Sequence, residues 1–206
     1  MDIKTVGVVG AGTMGSGIAQ VAAQVGGLNV ILNDIKQEFV DRGMSAIDKN
    51  LERQVSKERI TADDKTAVLG LIKTSTDVGD MKDADYVIEA AIETLDLKLD
   101  LFKKLDQVCR PGVILATNTS SISVTRIAAA TSRPDKVVGM HFFNPAQVMK
   151  LVEVVNGLAT SRETSEATVA LAGKFGKAPV EASDFPGFIA NRIVVPMMNE
   201  AMYTLY

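Results

Sequence analysis

The sequence predicts an α/β fold of the doubly wound Rossmann type, in which helices cover both faces of a mostly parallel sheet. Short runs rich in valine and isoleucine alternate along the chain with longer segments of helical periodicity. Because the short runs are apolar at consecutive positions, they are typical of strands that are buried on both faces. A glycine-rich stretch at residues 10–15 joins the first run to the first helical segment. These observations together favour the doubly wound class.

The first part of the chain alternates predicted strands and helices. The strands are residues 5–10, 28–34, 86–91, 113–118 and 137–143. The helices are residues 14–26, 36–57, 61–72 and 94–110. In the last of these helices, leucine and valine recur at helical spacing, which predicts one buried face. That face consists of Leu97, Leu101, Leu105 and Val108.

The last part of the chain ends in a segment of different character. Its predicted elements are a strand, a helix, a strand and a final helix, over residues 151–155, 165–177, 178–182 and 188–205. Pro186 and Gly187 mark a break before the final helix. That helix is mostly apolar, so we expect it to be buried against another element. Pro196 should kink it, because proline lacks a backbone N–H.

The composition argues against several classes of function. The net charge is −3, with 25 acidic and 22 basic residues, so no basic stripe is available for duplex nucleic acid. With one cysteine, Cys109, and one histidine, neither a disulfide framework nor a zinc site is expected, and we predict no metal. No apolar run approaches the ~18 residues of a membrane span. The first residues lack a secretory signal, and a cytoplasmic protein is therefore expected.

The glycine-rich stretch has the spacing of a dinucleotide-binding loop. Gly10 permits a tight turn, Gly12 lets the backbone approach a pyrophosphate, and Gly15 allows close packing of the helix. Asp34 closes the second predicted strand, where an acid binds a ribose hydroxyl. The alternative is a glycine-rich turn with no ligand. The acid favours NAD over NADP, although Lys36 is a nearby cation that could soften this preference.

The only histidine, His141, ends a predicted core strand. Alternation along the next strand places Glu153 on an apolar face, where a carboxylate needs a partner. A turn between the two strands could bring Glu153 to His141, fixing the tautomer of the imidazole and leaving its other nitrogen as a general base. The competing interpretation is a core histidine with a satisfied hydrogen bond.

Two further polar residues lie near strand ends or loops. Ser120 follows the strand that ends near residue 118, so it should be presented at the same carboxyl edge as His141. Asn191 lies on the final helix. Simpler interpretations are a helix N-cap for the serine and an exposed helix position for the asparagine.

Five motifs, taken together in this order and spacing, resemble the 3-hydroxyacyl-CoA dehydrogenase family. They are GAGTMGSGIA, NTSS, GMHFFNP, VMKLVEVV and PGFIANRI. The resemblance runs along the whole chain. It implies NAD-linked interconversion of an L-3-hydroxyacyl-CoA, of short chain such as 3-hydroxybutyryl-CoA, and the 3-ketoacyl-CoA.

The resemblance also implies a role for each matching residue. It makes His141 the catalytic base, Glu153 its orienting acid, and Ser120 and Asn191 the residues that hydrogen-bond the substrate oxygen. It implies that NAD is bound by Gly10, Gly12, Thr13, Met14, Gly15, Asp34, Glu93, Lys98, Ser120 and Asn144. It implies that the acyl-CoA is bound by Ser120, Asn191, Asn50 and Lys57.

The chain departs from the family pattern in two places. Gln147 stands where the family usually has proline, and we expect this difference to reshape the turn between base and acid. Family members also continue for about another helical domain. We therefore expect residues 1–183 to be an NAD-binding domain, and residues 184–206 to be the first helix of a truncated or missing helical domain that makes a homodimer or larger homo-oligomer.

Two rival functions stay open on the sequence. One is an NAD-binding sensor or structural protein that keeps the fold without turnover, since a fold alone does not give a function. The other is a dehydrogenase of a free 3-hydroxy acid.

Overall fold

The computed structural model describes residues 2–205 and contains one eight-stranded sheet. Its strands are β1 (Thr5–Val9), β2 (Asn29–Asn33), β3 (Ile72–Ser75), β4 (Tyr86–Glu89), β5 (Ile114–Thr117), β6 (Val137–Phe142), β7 (Leu151–Asn156) and β8 (Ala178–Ser183). They lie in the order β3-β2-β1-β4-β5-β6-β7-β8. The first six strands are parallel, whereas β7 runs antiparallel to β6 and pairs with β8 in parallel. The predicted doubly wound, mostly parallel class is confirmed.

Helices cover both faces of this sheet. They are α1 (Thr13–Gln24), α2 (Gln37–Val55), α3 (Ala62–Gly70), α4 (Leu95–Val108), α5 (Val124–Ala128), α6 (Arg162–Lys174) and α7 (Ala190–Leu205). Two short 3₁₀ turns span Val78–Asp83 and Pro134–Lys136. The helices α1, α2 and α6 share one hydrophobic core with one face of the sheet. The helices α4 and α5 share a second core with the opposite face.

Two elements were absent from the prediction. Strand β3 reads Ile-Lys-Thr-Ser, so only one of its four residues carries an apolar strand signal. It lies at the edge of the sheet, which explains why polar side chains are tolerated there. Helix α5 has five residues, too few to show a helical period, and it is capped by the side chain of Ser123.

The predicted buried face of α4 is confirmed at Leu105, and at Leu101 and Val108, which pack against the second core, and it is wrong at Leu97. Leu97 is 39% exposed, while Lys98 and Phe102 are fully buried together with Leu105. A lysine was not counted among the buried positions, because its charge normally keeps it at the surface. Lys98 is buried because two carboxylates, described below, compensate its charge.

The final helix begins later than predicted and is solvent-exposed. Gly187 and Phe188 adopt left-handed backbone conformations, with φ of 79° and 48°, so α7 starts only at Ala190. No side chain of α7 is buried, although the helix is rich in valine, isoleucine and methionine. Pro196 lies inside it. Among residues 2–205, no helix combines the length and the hydropathy needed to cross a membrane.

The single cysteine is a packing residue. Cys109 follows the last residue of α4 and is 3% exposed within the second core. Burial raises the pKa of its thiol to about 11, so the thiol is protonated near neutral pH and is a poor nucleophile. In the part of the chain that the structure describes, no three His, Cys, Asp or Glu side chains are grouped as metal ligands.

Candidate active site

The glycine loop lies where the order of the strands reverses, between β1 and β4. Gly10 has a φ of 104°, and a side chain there would meet the carbonyl oxygen of Ala90 at 2.5 Å. A side chain on Gly15 would overlap the carbonyl oxygen of Gly10, so this glycine lets α1 pack against the loop. At Gly12, by contrast, an added Cβ would meet no atom within 4 Å. The backbone is therefore packed closely at Gly10 and Gly15, whereas the side of the loop at Gly12 is open.

This open side fits the diphosphate of a dinucleotide. Helix α1 begins at Thr13 with no side chain capping its N-terminus, so its first N–H groups are free to bind an anion. Thr13 and Met14 form its first turn. Asp34 follows β2, and its Oδ2 accepts a hydrogen bond from the backbone N–H of Ala11 at 2.8 Å. The glycine loop, the first turn of α1 and Asp34 are thus brought together at one edge of the sheet.

The histidine and the glutamate face each other across β6 and β7. The antiparallel register pairs His141 directly with Glu153. Their side chains meet, with 2.8 Å between His141 Nδ1 and Glu153 Oε2, and both residues are buried. Because an ionised carboxylate only accepts hydrogen bonds, Nδ1 carries the proton, and Nε2 is left to accept one.

Ser120 and Asn191 lie on the open side of His141. Ser120 Oγ is 3.1 Å from His141 Nε2. The amide of Asn191, at the start of α7, donates to the carbonyl oxygen of Ser120 at 3.4 Å. The loop that carries Ser120 is fixed to the end of β6, because Asn118 Oδ1 accepts the N–H of Phe142 at 2.8 Å. The structure therefore brings the four predicted catalytic residues together.

Glu93 is anchored to the same loop. Its Oε1 accepts the hydroxyl of Thr119 and the backbone N–H of Ser120, the latter at 2.8 Å. Its Oε2 is 3.3 Å from Lys98 Nζ. Burial would raise the pKa of Glu93, but the hydroxyl of Thr119 and the charge of Lys98 outweigh this, and the pKa lies below its usual value. Glu93 is thus held ionised, partly exposed, at the mouth of the site.

Lys98, which was expected to bind the cofactor, is enclosed by protein groups in this structure. Its side chain is 1% exposed, and Nζ lies 2.6 Å from Glu89 Oε1, 3.3 Å from Glu93 and 3.4 Å from the carbonyl oxygen of Ala91. Those three partners use the three ammonium donors. Of the two carboxylates, Glu93 is the one that is partly exposed.

Three further residues were expected to bind the cofactor or the acyl-CoA. Asn144 is exposed in the turn that follows β6. Asn50 lies on α2, where its Oδ1 accepts from the amides of Gln20 at 2.8 Å and Gln54 at 3.0 Å. Lys57 is exposed in the turn after α2. The oxygen of Asn50 is thus occupied, and its amide nitrogen is the group left for a ligand.

The line of Ser120, His141 and Glu153 has the connectivity of a nucleophilic triad, but its surroundings do not suit acyl transfer. Such a triad needs free N–H groups to hold an oxyanion. The backbone N–H groups of Ser120 and Ser121 instead donate to Glu93 at 2.8 and 3.3 Å. The arrangement is suited to moving a proton to or from an oxygen placed between Ser120 and His141.

Sequence reasoning missed two residues that build this site. Glu89, at the end of β4, is fully buried and accepts the hydroxyl of Thr117 at 2.6 Å as well as the ammonium of Lys98. A glutamate at the end of an otherwise apolar strand was the available signal, because a buried carboxylate requires partners. Phe188 packs against His141 with ring centroids 5.7 Å apart, and no local pattern indicates that contact.

Comparison with known proteins agrees with this geometry. The family model described as 3-hydroxyacyl-CoA dehydrogenase, NAD binding domain, matches residues 5–185. The 3-hydroxybutyryl-CoA dehydrogenase of Bradyrhizobium diazoefficiens is 48% identical over 204 residues, which are 99% of this chain and 69% of that protein. The enzyme of that name from Clostridioides difficile is 47% identical over 195 residues, covering 95% of this chain and 69% of that protein.

A solved structure gives the same result. The crystal structure of (S)-3-hydroxybutyryl-CoA dehydrogenase from Ralstonia eutropha matches with a TM-score of 0.95 and 50% sequence identity, over 97% of this chain and 70% of that chain. The similarity thus includes both the glycine loop and the strands that carry His141 and Glu153. The chain belongs to the 3-hydroxyacyl-CoA dehydrogenase family.

Proposed function

We propose that this protein interconverts a short-chain L-3-hydroxyacyl-CoA, such as 3-hydroxybutyryl-CoA, and the 3-ketoacyl-CoA with NAD as cofactor. The observation that carries the proposal is the buried Glu153–His141 pair with Ser120 beside the free imidazole nitrogen. It lies at the same sheet edge as the glycine loop. We propose a cytoplasmic location, because NAD and CoA thioesters are held inside cells.

Four residues of this chain take part in the proposed proton transfer. In oxidation, His141 Nε2 accepts the proton of the 3-hydroxyl group, and Glu153 stabilises the imidazolium that forms. Ser120 and the amide of Asn191 hold the oxygen on which charge changes. In reduction, His141 returns the proton to the same oxygen. When bound, the cofactor supplies the hydride chemistry at C3.

The remaining site residues bind and orient the cofactor and the acyl-CoA. The free N–H groups of the first turn of α1 hold the diphosphate, and Asp34 binds a ribose hydroxyl. Glu93 and Asn144 bind near the nicotinamide end. For the acyl-CoA we propose contacts from the amide nitrogen of Asn50 and from the ammonium of Lys57. No step in this scheme uses a metal ion.

A spectrophotometric assay tests the proposed function directly. Oxidation of NADH is followed with acetoacetyl-CoA, and the free acid acetoacetate serves as the matched control substrate. We expect turnover with the thioester and little with the acid. NADH binding without turnover of either substrate would favour a sensor, and faster turnover of the free acid would favour a hydroxy-acid dehydrogenase.

Asp34 is expected to set the preference for NADH over NADPH. Its charge would repel a 2′-phosphate, while Lys36 is partly engaged by Glu38, 3.8 Å away. Asp34→Asn removes the charge and keeps one oxygen that can accept the N–H of Ala11. Its N–H₂ group cannot replace Oδ1, which accepts the backbone N–H of Ile35 at 2.7 Å. We expect this change to narrow the NADH preference in kcat/KM by about tenfold, and Asp34→Ala also to weaken NADH binding. Equal use of both cofactors by the unaltered protein would contradict this assignment.

We also propose that the segment from residue 184 onward, whose helix is α7, belongs to a second, helical unit and mediates a homodimer. The apolar residues of α7 support this, since an exposed apolar surface of that kind marks an interaction site. Size-exclusion chromatography with light scattering should show a dimer or larger species. Ile193→Glu, which places a charge on an exposed apolar position, should shift it towards monomer, whereas Glu200→Gln should not. A monomer at all concentrations would contradict this proposal.

A further inference from the structure

The carboxylate of Glu153 has a second set of partners besides His141. Its Oε2 binds the imidazole, while its Oε1 accepts the backbone N–H groups of Ile189 at 3.0 Å and Ala190 at 2.8 Å. These N–H groups lie at the N-terminus of α7, where the helix dipole favours a negative charge. Glu153 is therefore held from both sides, by the histidine and by the start of α7.

The two N–H groups face Glu153 because of the backbone just before them. Gly187 and Phe188 have φ values of 79° and 48°. Glycine adopts this region readily, but a phenylalanine does so rarely and unfavourably. Among the described residues, the other non-glycine residue with positive φ is Glu58, in an exposed turn after α2. Phe188 is thus the left-handed side chain that lies at the active site.

Contacts of the Phe188 ring explain why an unfavourable conformation persists here. The residue is 5% exposed, and its ring lies edge-on to His141, with centroids 5.7 Å apart and planes at 64°. The ring of Phe143 makes a second contact with the imidazole, with ring centroids 4.6 Å apart. The imidazole therefore contacts two aromatic rings, and one of them belongs to the residue that directs the N–H groups to Glu153.

The segment that carries Phe188 is fixed independently at both ends. Asp184 accepts hydrogen bonds from the hydroxyl of Ser123 and from the N–H groups of Val124 and Thr125, at 2.7, 3.0 and 2.8 Å. Asn191 bonds to the loop of Ser120. Because these contacts do not involve Phe188, the segment should stay docked when its ring is replaced.

We propose that Phe188 is a positioning residue for proton transfer, an inference that rests on the function proposed above. Its backbone directs the N–H groups of Ile189 and Ala190 at Glu153, and its ring confines the imidazole. Together they keep Nδ1 on the carboxylate and Nε2 facing the substrate oxygen. Loss of the ring allows His141 and Glu153 to shift, and small shifts at a reacting centre lower rates strongly.

The test replaces Phe188 by leucine, which keeps an apolar side chain without an aromatic edge. We expect kcat with acetoacetyl-CoA and NADH to fall about 10- to 100-fold, with KM for both substrates changed less than about twofold. Two control variants are Phe185→Leu, an exposed phenylalanine in the same segment, and Glu58→Gly, the other left-handed site. Both should retain full kcat.

A spectroscopic readout separates this role from general stability and from the proposed reaction. His141 is the single histidine, so the proton resonance of its Nδ1–H group is unambiguous by NMR. In the unaltered protein, hydrogen bonding to Glu153 should keep this resonance far downfield and slow to exchange. In Phe188→Leu it should move upfield or broaden while the melting temperature stays close to that of Phe185→Leu.

Failure of this inference can be told apart from failure of the proposed function. An unchanged resonance and unchanged kcat in Phe188→Leu would overturn the inference, and so would a fall in kcat that only accompanies unfolding or lost NADH affinity. If the unaltered protein does not turn over acetoacetyl-CoA, the proposed function fails. The resonance then still tests whether Phe188 holds the His141–Glu153 pair.

Discussion

Replacement of His141 by glutamine is expected to lower kcat by about two to four orders of magnitude, with NADH affinity unchanged. Glutamine fills a similar volume and can still bond to Ser120, but it cannot accept and release a proton near neutral pH. No other histidine is present to substitute for it. The substrate oxygen would then lack a base in oxidation and a proton donor in reduction.

Two measurements accompany this experiment. NADH binding, followed by its fluorescence, should be preserved because the glycine loop lies on β1 and α1, whereas His141 lies on β6. The melting temperature shows whether the variant folds. A variant that binds NADH and turns over acetoacetyl-CoA at nearly the normal rate would show that His141 is not the base.

Replacement of Glu153 by glutamine is expected to lower kcat at least about a hundredfold. The carboxylate accepts from three donors, namely His141 Nδ1 and the N–H groups of Ile189 and Ala190. Glutamine offers one oxygen and one N–H₂ group, so either the imidazole or the start of α7 loses its acceptor. We expect stability to fall by about 1–3 kcal/mol as a buried donor is left unpaired.

The pH profile distinguishes the role of the charge from that of the hydrogen bonds. A neutral amide no longer stabilises the imidazolium, so the pH dependence of kcat should move in Glu153→Gln. Glu181→Gln provides the matched control, because Glu181 is an exposed glutamate on the neighbouring strand β8 that bonds to Ser165. It should leave both kcat and its pH profile unaltered. If the pH dependence of kcat is the same in Glu153→Gln as in the unaltered protein, the result would argue against the pairing of His141 with Glu153.

The sequence by itself determined the class of the fold, the dinucleotide-binding loop and the pairing of His141 with Glu153. Gly10, Gly12 and Gly15 act through backbone conformation and the absence of a Cβ, which are local properties that a short motif can specify. The pairing of His141 with Glu153 also follows from local rules. Strand alternation sets which side chains share a face, and a short connection between consecutive strands restricts their register.

Only the tertiary structure decided what surrounds that pair. Lys98 is buried because Glu89 and Glu93 converge on it, and the leucine spacing of α4 gives no sign of this compensation. The N–H groups that hold the second oxygen of Glu153 come from a segment 36 and 37 residues further along the chain. Such contacts depend on how distant segments pack, and on a left-handed phenylalanine at position 188 that no propensity favours. Propensity and periodicity depend on residues that are close in sequence. The partners of a buried charge or a buried hydrogen-bonding group are residues that are close only in space.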